Sequence, residues 1–336
     1  MSEQFGSFRS SLFGAFVESP LNARDATGGL IYAGGAFTSP GNGVARWTGS
    51  AWETIGATGL TTCRVLRQHN AVLVAGGADL KTWDGSAWVD IGNGTVWDVT
   101  TWSALLIAVG YFSSMGGTSA SEVASWNGST WSALGSGTSG GARVTIPYGT
   151  DLLVAGNFGV PFDAFAVWDG SSWSGLGSPL NQPCSAAIVW NGNLYVGQAH
   201  ESPEFTPDTL IARLRKWAAS SWSTAATFNS VSIGAIVRAI VVYGNELIVG
   251  GKFDDVDGTV TAANIAAWNG TTWRAIGDAN GDVFGLRQVG DELLAIGSFT
   301  VIGGVSSVRA ARWNGTTWSA MSGLDAIAYT GCQYPA

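Results

Sequence analysis

The chain has 336 residues, a formal net charge of -8 and a charged fraction of only 12%, where an ordinary soluble domain carries roughly a quarter. Such an acidic chain repels phosphate backbones, and no basic run offers a local exception, which argues against a nucleic-acid partner. No apolar run reaches the roughly 18 residues a membrane helix needs, so no membrane span is expected. Cys63, Cys184 and Cys332 are odd in number and far apart, with no paired spacing for a zinc site or a redox dithiol.

Along the chain, the first segment is Met1 to Pro20. It has neither a cationic start nor a sustained apolar run, so it is not read as a signal peptide. Its Phe5, Phe8, Leu12, Phe13 and Phe16 suit an extension, residues 1–20, lying on the rest of the molecule or on a neighbour. From residue 21 onward the chain repeats. Seven tryptophan pairs recur, each five positions apart: Trp47/Trp52, Trp83/Trp88, Trp126/Trp131, Trp168/Trp173, Trp217/Trp222, Trp268/Trp273 and Trp313/Trp318. The period of roughly 44 residues is that of propeller blades. Length alone would allow two domains, but the repeat makes 21–336 one domain.

The sixth repeat shows the unit. Four strands are expected at 237–244, 246–251, 264–268 and 272–277, with hairpin turns at Gly244-Asn245 and Asn269-Gly270, where Asn and Gly accept positive φ. The second strand recurs as continuous apolar runs such as LIYAGG (30–35), VLVAGG (72–77) and LLIAVG (105–110), as expected for a strand buried on both faces. Helical periodicity is nearly absent. The expected fold is therefore all-β: a seven-bladed β-propeller with four antiparallel strands per blade. The tail 324–331 matches the first strand of the sixth repeat, whereas Asn22 to Thr27 makes a poor strand. The C-terminal strand is therefore expected to pair into blade 1 and close the ring. The paired indoles read as packing, since they recur at fixed register in every blade; a ring of sugar-stacking platforms is the rival reading.

The order apolar strand–Gly-Gly, then Ala-Arg-Trp-Asn-Gly and Trp-x-x-Leu-Gly, is carried by Ala45-Arg46-Trp47, Gly76-Gly77, Trp126-Asn127-Gly128, Leu134-Gly135 and Arg312-Trp313-Asn314-Gly315. It resembles the kelch-like repeats of bacterial and phage surface proteins, and is similar in pattern to kelch and galactose-oxidase-type propellers. The resemblance implies the fold and says little about function. Blade 5 departs most, with Trp217-Ala218-Ala219 in place of the Asn-Gly turn, and blade 2 is shortened between Gly77 and Trp83.

Alternating strand direction puts the variable second-to-third and blade-to-blade loops on one face, the usual place for recognition. The longest, Gln198–Leu210, offers His200, Glu201, Glu204, Phe205 and Asp208 as candidate ligand or partner contacts. Asp254, Asp255 and Asp257 before Gly258 resemble a calcium loop without its full spacing or its bidentate glutamate; otherwise they form a solvated acidic turn, and no cofactor is expected. Only His69 and His200 exist, which leaves no His-rich metal site. Asp84-Gly85-Ser86 and Asp169-Gly170-Ser171 are similar to sialidase Asp-boxes, but the arginine cluster of that active site cannot be located in the sequence. The functional expectation is a non-catalytic binding or structural module. Its most concrete form is a bacteriophage virion protein, made in the host cytoplasm and exposed on the particle, that contacts envelope glycan or neighbouring proteins of an assembly. The alternatives are a cytoplasmic kelch-type scaffold and a polysaccharide-active enzyme, the latter requiring a carboxylate pair in the central channel.

Overall fold

The structure, a computed structural model, describes residues 30–177, 180, 182–198, 211–230 and 234–334. Among the described residues every regular element is a strand, and no helix is long and apolar enough to cross a membrane. The strands form seven antiparallel blades around a central channel. Blade 6 is representative: Ile236–Tyr243, Glu246–Lys252, Ile265–Trp268 and Trp273–Ala275 pair in chain order. The extension 1–20, and with it the apolar contacts expected of its phenylalanines, lies outside the described residues.

The innermost strands line the channel. They are Ala328–Tyr334 in blade 1, Val65–His69 in blade 2, Thr95–Trp102 in blade 3, Gly141–Tyr148 in blade 4, Cys184–Trp190 in blade 5, Ile236–Tyr243 in blade 6 and Val283–Val289 in blade 7. Blade 1 is completed by the end of the chain: Ala328–Tyr334 pairs antiparallel with Leu30–Gly35, Ala33 standing opposite Gly331. This closing strand starts later than the expected 324–331 because Asp325 is used elsewhere. Its carboxylate accepts hydrogen bonds from the Thr38 amide (2.9 Å) and hydroxyl (2.7 Å), and its own amide donates to Ser39 O (3.2 Å). These bonds hold the segment before the strand as a clasp across the seam.

The apolar core lies between blades. It falls into seven clusters, each drawing on two adjacent blades. The second strand of blade 3 shows why its sequence is continuously apolar. Leu106 and Ala108 face blade 2, while Ile107 and Val109 face blade 4. Blade 5 differs in a second way beyond its turn, where Ala219 and Ser220 adopt positive φ. Its outer strand runs on to Asn229 and pairs with the short hairpin Asp255–Val256/Val260–Thr261 of blade 6, which ties the two blades into one six-stranded sheet.

The tryptophan pairs face each other across the third and outer strands, with ring centroids 5.2–5.7 Å apart. The outer member also clasps the preceding blade. Indole Nε1 donates to a main-chain carbonyl there in six cases: Trp52 to Met321, Trp88 to Ile55, Trp131 to Ile91, Trp173 to Leu134, Trp222 to Leu176 and Trp318 to Ile276. This explains the Leu/Ile-Gly step of the repeat. The first residue presents the carbonyl, and the glycine leaves room for the next blade's indoles. A Cβ on Gly177, at φ +71°, would sit 2.3 Å from the Trp217 ring. In blade 6 the pattern gives way to Phe228, which meets Trp273 edge to face at 5.5 Å.

In five blades the turn between the paired tryptophans is an Asx turn, opened by Asp84, Asn127, Asp169, Asn269 or Asn314. Asp169 Oδ1 accepts from the amides of Ser171 and Ser172, both at 2.7 Å, and Asn269 and Asn314 accept the same pair of amides uncharged. The amides and hydroxyls around Asp169 hold its carboxyl below the usual carboxylate range, and the same arrangement acts on Asp84. A depressed folded pKa contributes stability that is complete above the unfolded value of about 3.9 and is lost as the pH falls through the folded value. Asp84→Asn/Asp169→Asn keeps the turn's hydrogen bonds but gives up their charge-assisted share, so it should melt at or slightly below the parent's temperature at pH 7. It should also lose less stability than the parent between about pH 4 and pH 2; parallel acid titrations followed by circular dichroism check this.

Candidate ligand site at the channel mouth

Six of the seven inner strands carry a β-bulge against the second strand of their blade. The register shifts across Trp97, Arg143, Ser185, Arg238, Phe284 and Tyr329. In blade 2 the corresponding residue is Arg64, just ahead of Val65–His69, with its amide on Gly76 O at 2.7 Å. A bulge re-aims a side chain that strand alternation would otherwise place against a neighbouring blade. Here all seven point into the channel, near the ends of the inner strands that open on the face of the variable loops.

Two repeat positions make this possible. The residue before the bulge is small, apolar and fully buried: Val96, Ala142, Cys184, Val237, Val283 and Ala328 are each 0% exposed, and Cys63 takes the place in blade 2. The cysteines thus hold a position that valine fills elsewhere, and burial pushes the Cys184 thiol far above its ordinary range. The second requirement is the closing glycine of the second strand. A Cβ on Gly110 would lie 1.9 Å from Thr95 O, and one on Gly251 would lie 2.0 Å from Ile236 O. The glycine lets the inner strand buckle toward it.

Together these side chains, with Thr95 and Tyr111, enclose a cavity of about 560 Å³ at the channel mouth. Three arginines and four aromatic rings line it. The guanidiniums lie over rings, Arg64 over Tyr329 (6.0 Å), Arg143 over Trp97 (5.6 Å) and Arg238 over Phe284 (4.7 Å). Phe284 meets Tyr329 edge to face at 5.3 Å, and Trp97 stacks on Tyr111 at 6.5 Å with planes 27° apart. Tyr111 is 65% exposed, so the stack runs from the channel out to solvent. Arg238 is braced by Asp282, with bonds of 3.2 and 3.0 Å to one oxygen.

Below the mouth the channel narrows to a space of about 160 Å³ that includes Arg67 and Asp98. Asp98 is buried; it accepts from the Thr145 amide (3.1 Å) and pairs with Arg67 (3.4 Å). Burial raises its pKa against the opposing pull of Arg67 and Arg287. Among the described residues lining the channel, Asp98 is the sole carboxylate, so they hold no pair spaced for glycoside hydrolysis. His69 hydrogen-bonds Thr101 Oγ1 at 2.8 Å, toward the far end of its strand.

The residues singled out in the long blade 5 loop, His200, Glu201, Glu204, Phe205 and Asp208, lie outside the described residues. Of the blade 6 acidic turn, Asp255 accepts from Asn229 Nδ2 (2.6 Å) and the Gly258 amide (2.9 Å). Asp257 accepts from the Thr227 amide (2.7 Å) and hydroxyl (2.9 Å). Protein donors thus occupy oxygens a cation would use, and among the described residues no group of three or more His, Cys, Asp or Glu is placed to hold a metal. The arginine–aromatic ring at the mouth escaped sequence reasoning. Its signal was a small apolar residue followed by a variable one at the start of each first strand, seen only when the seven strands are aligned.

The sequence matches no protein-family model and no curated protein. Among solved structures, the chain is similar to the computationally designed Ika8 protein at 11% identity and a TM-score of 0.53, covering 90% of this chain and 86% of that one. At that identity the likeness shows the fold alone: the chain is a seven-bladed β-propeller of four-stranded antiparallel blades.

Proposed function

We propose that the protein is a non-catalytic recognition propeller that binds surface glycan at its channel mouth. The observation that carries this reading is the Trp97–Tyr111 stack, partly solvent-exposed and set in a concave site whose other members come from every blade. A flat aromatic face with hydroxyl and guanidinium donors around it suits the mixed apolar and hydroxylated faces of a sugar ring. Support for a non-catalytic role comes from Asp98, the lone described channel carboxylate, whose hydrogen-bonding capacity is committed to Arg67 and Thr145. The kelch-like pattern of the repeats and the low charge content favour display on the surface of a phage particle.

The test is binding of labelled protein to a panel of bacterial cells and purified envelope glycans. Saturable binding that is lost after periodate treatment of the cells, and lost again in Trp97→Ala, is the expected result. Binding that survives both overturns the reading.

A further inference from the structure

The whole chain carries a net charge of -8, yet its channel mouth gathers Arg64, Arg143 and Arg238 from blades 2, 4 and 6. The positions are equivalent: Arg143 and Arg238 lie at the bulge, and Arg64 takes the same place ahead of the inner strand of blade 2. Ser185 occupies the same register in blade 5, so the scaffold does not require arginine there. Gathering three guanidiniums in one cavity costs mutual repulsion. Asp282 pairs with Arg238, and Asp98 faces Arg67 one layer down. Arg64 is exposed, with the Tyr329 ring beside it and no carboxylate partner among the described residues.

Resting on the glycan-binding reading above, we infer that the saccharide taken at this mouth is an acidic one, a sugar bearing a ring carboxylate such as a hexuronate or a sialic acid. Its ring stacks on Trp97 and Tyr111 while its carboxylate reaches the guanidiniums, whose planar donor forks match a carboxylate. The cation–π contacts with Trp97 and Tyr329 keep Arg143 and Arg64 turned toward the cavity before the ligand arrives. Rings and charges together favour a carboxylated sugar over a plain polyanion, which would use the arginines and ignore the stack.

The experiment uses the full chain and intrinsic tryptophan fluorescence. Oligogalacturonate, oligoglucuronate and a sialylated oligosaccharide are titrated beside the methyl ester of each, which keeps the ring and removes the charge, and beside dextran sulfate. At least one acid should bind saturably with a fluorescence change, its ester about tenfold or more weakly. Affinity should also fall as ionic strength rises. Arg64→Ser/Arg143→Ser, which copies the blade 5 residue, should weaken acid binding by about tenfold or more with the melting temperature retained.

Equal binding of acid and ester, or binding unchanged in the double variant, overturns the acidic assignment and leaves the glycan reading standing. Dextran sulfate binding as tightly as every acid, with no loss in Trp97→Ala, overturns it in favour of plain charge attraction. Binding of neutral envelope glycans with none of the acids also overturns it. If no saccharide of either panel binds, both readings fall.

Discussion

Trp318→Ala should destabilise the protein by about 3–5 kcal/mol, the range for emptying a buried aromatic site. Trp318 is 6% exposed, stacks against Trp313 at 5.3 Å and donates to Ile276 O of blade 6 at 2.6 Å. It also fills the space over Gly303, where a Cβ would approach the ring to 2.3 Å. This side chain supplies both apolar area and a polar link between the blades, beside the main-chain bonds of Asn280 to Val301 and of Gly303 to Asp278. Trp318→Phe separates the two contributions: it keeps most of the packing, removes the donor and should cost about 1 kcal/mol plus a small volume term. Equilibrium denaturation of both variants measures the difference. Equal losses in the two would show that the hydrogen bond, and not the ring volume, holds the blades.

Gly110→Ala should cost about 3 kcal/mol, at the upper end for overpacking, because the added methyl would meet a main-chain oxygen and not a side chain that can rotate away. The obstructing atom, Thr95 O, lies two residues before Trp97. The least costly relaxation is for the inner strand of blade 3 to flatten its bulge, which would turn Trp97 out of the channel. The variant should therefore lose saccharide-induced fluorescence change at temperatures where it remains folded. Thermal melts and ligand titration on the same sample check both halves. A glycine variant that melts early yet binds normally would show that the bulge is not what presents Trp97.

Much of this architecture was legible in the residues. The five-residue spacing of the tryptophans set the blade count, and the strands expected at 237–244 and 246–251 run at Ile236–Tyr243 and Glu246–Lys252. Period-two and run-length patterns report burial, and burial in a propeller repeats with the blade. The site was not legible by the same logic. A bulge inserts one residue and breaks the alternation on which strand reading depends, so Arg64, Trp97, Ser185 and Phe284 look like noise at the start of an apolar run. Indole pairing was visible, but the carbonyl it grips in the preceding blade was not, since that contact joins residues about 40 apart. The Asp325 clasp was missed for a similar reason: a carboxylate beside a strand carries no sign that its partner, Thr38, is 287 positions away.

Closing the ring with Ala328–Tyr334 has a consequence for how the chain is born. During synthesis, six blades can assemble in order as they leave the ribosome, but Leu30–Gly35 waits with one edge unpaired until residue 334 has been made. For most of its synthesis the nascent protein is an open arc with two exposed flanks, one awaiting its own tail and the other growing. An arc of that kind can accept the wrong tail, so two chains made close together on one message are apt to exchange closing strands. A circular permutant cut between blades 2 and 3, with the old termini joined, would complete blade 1 in mid-synthesis and move the late-closing seam to another interface.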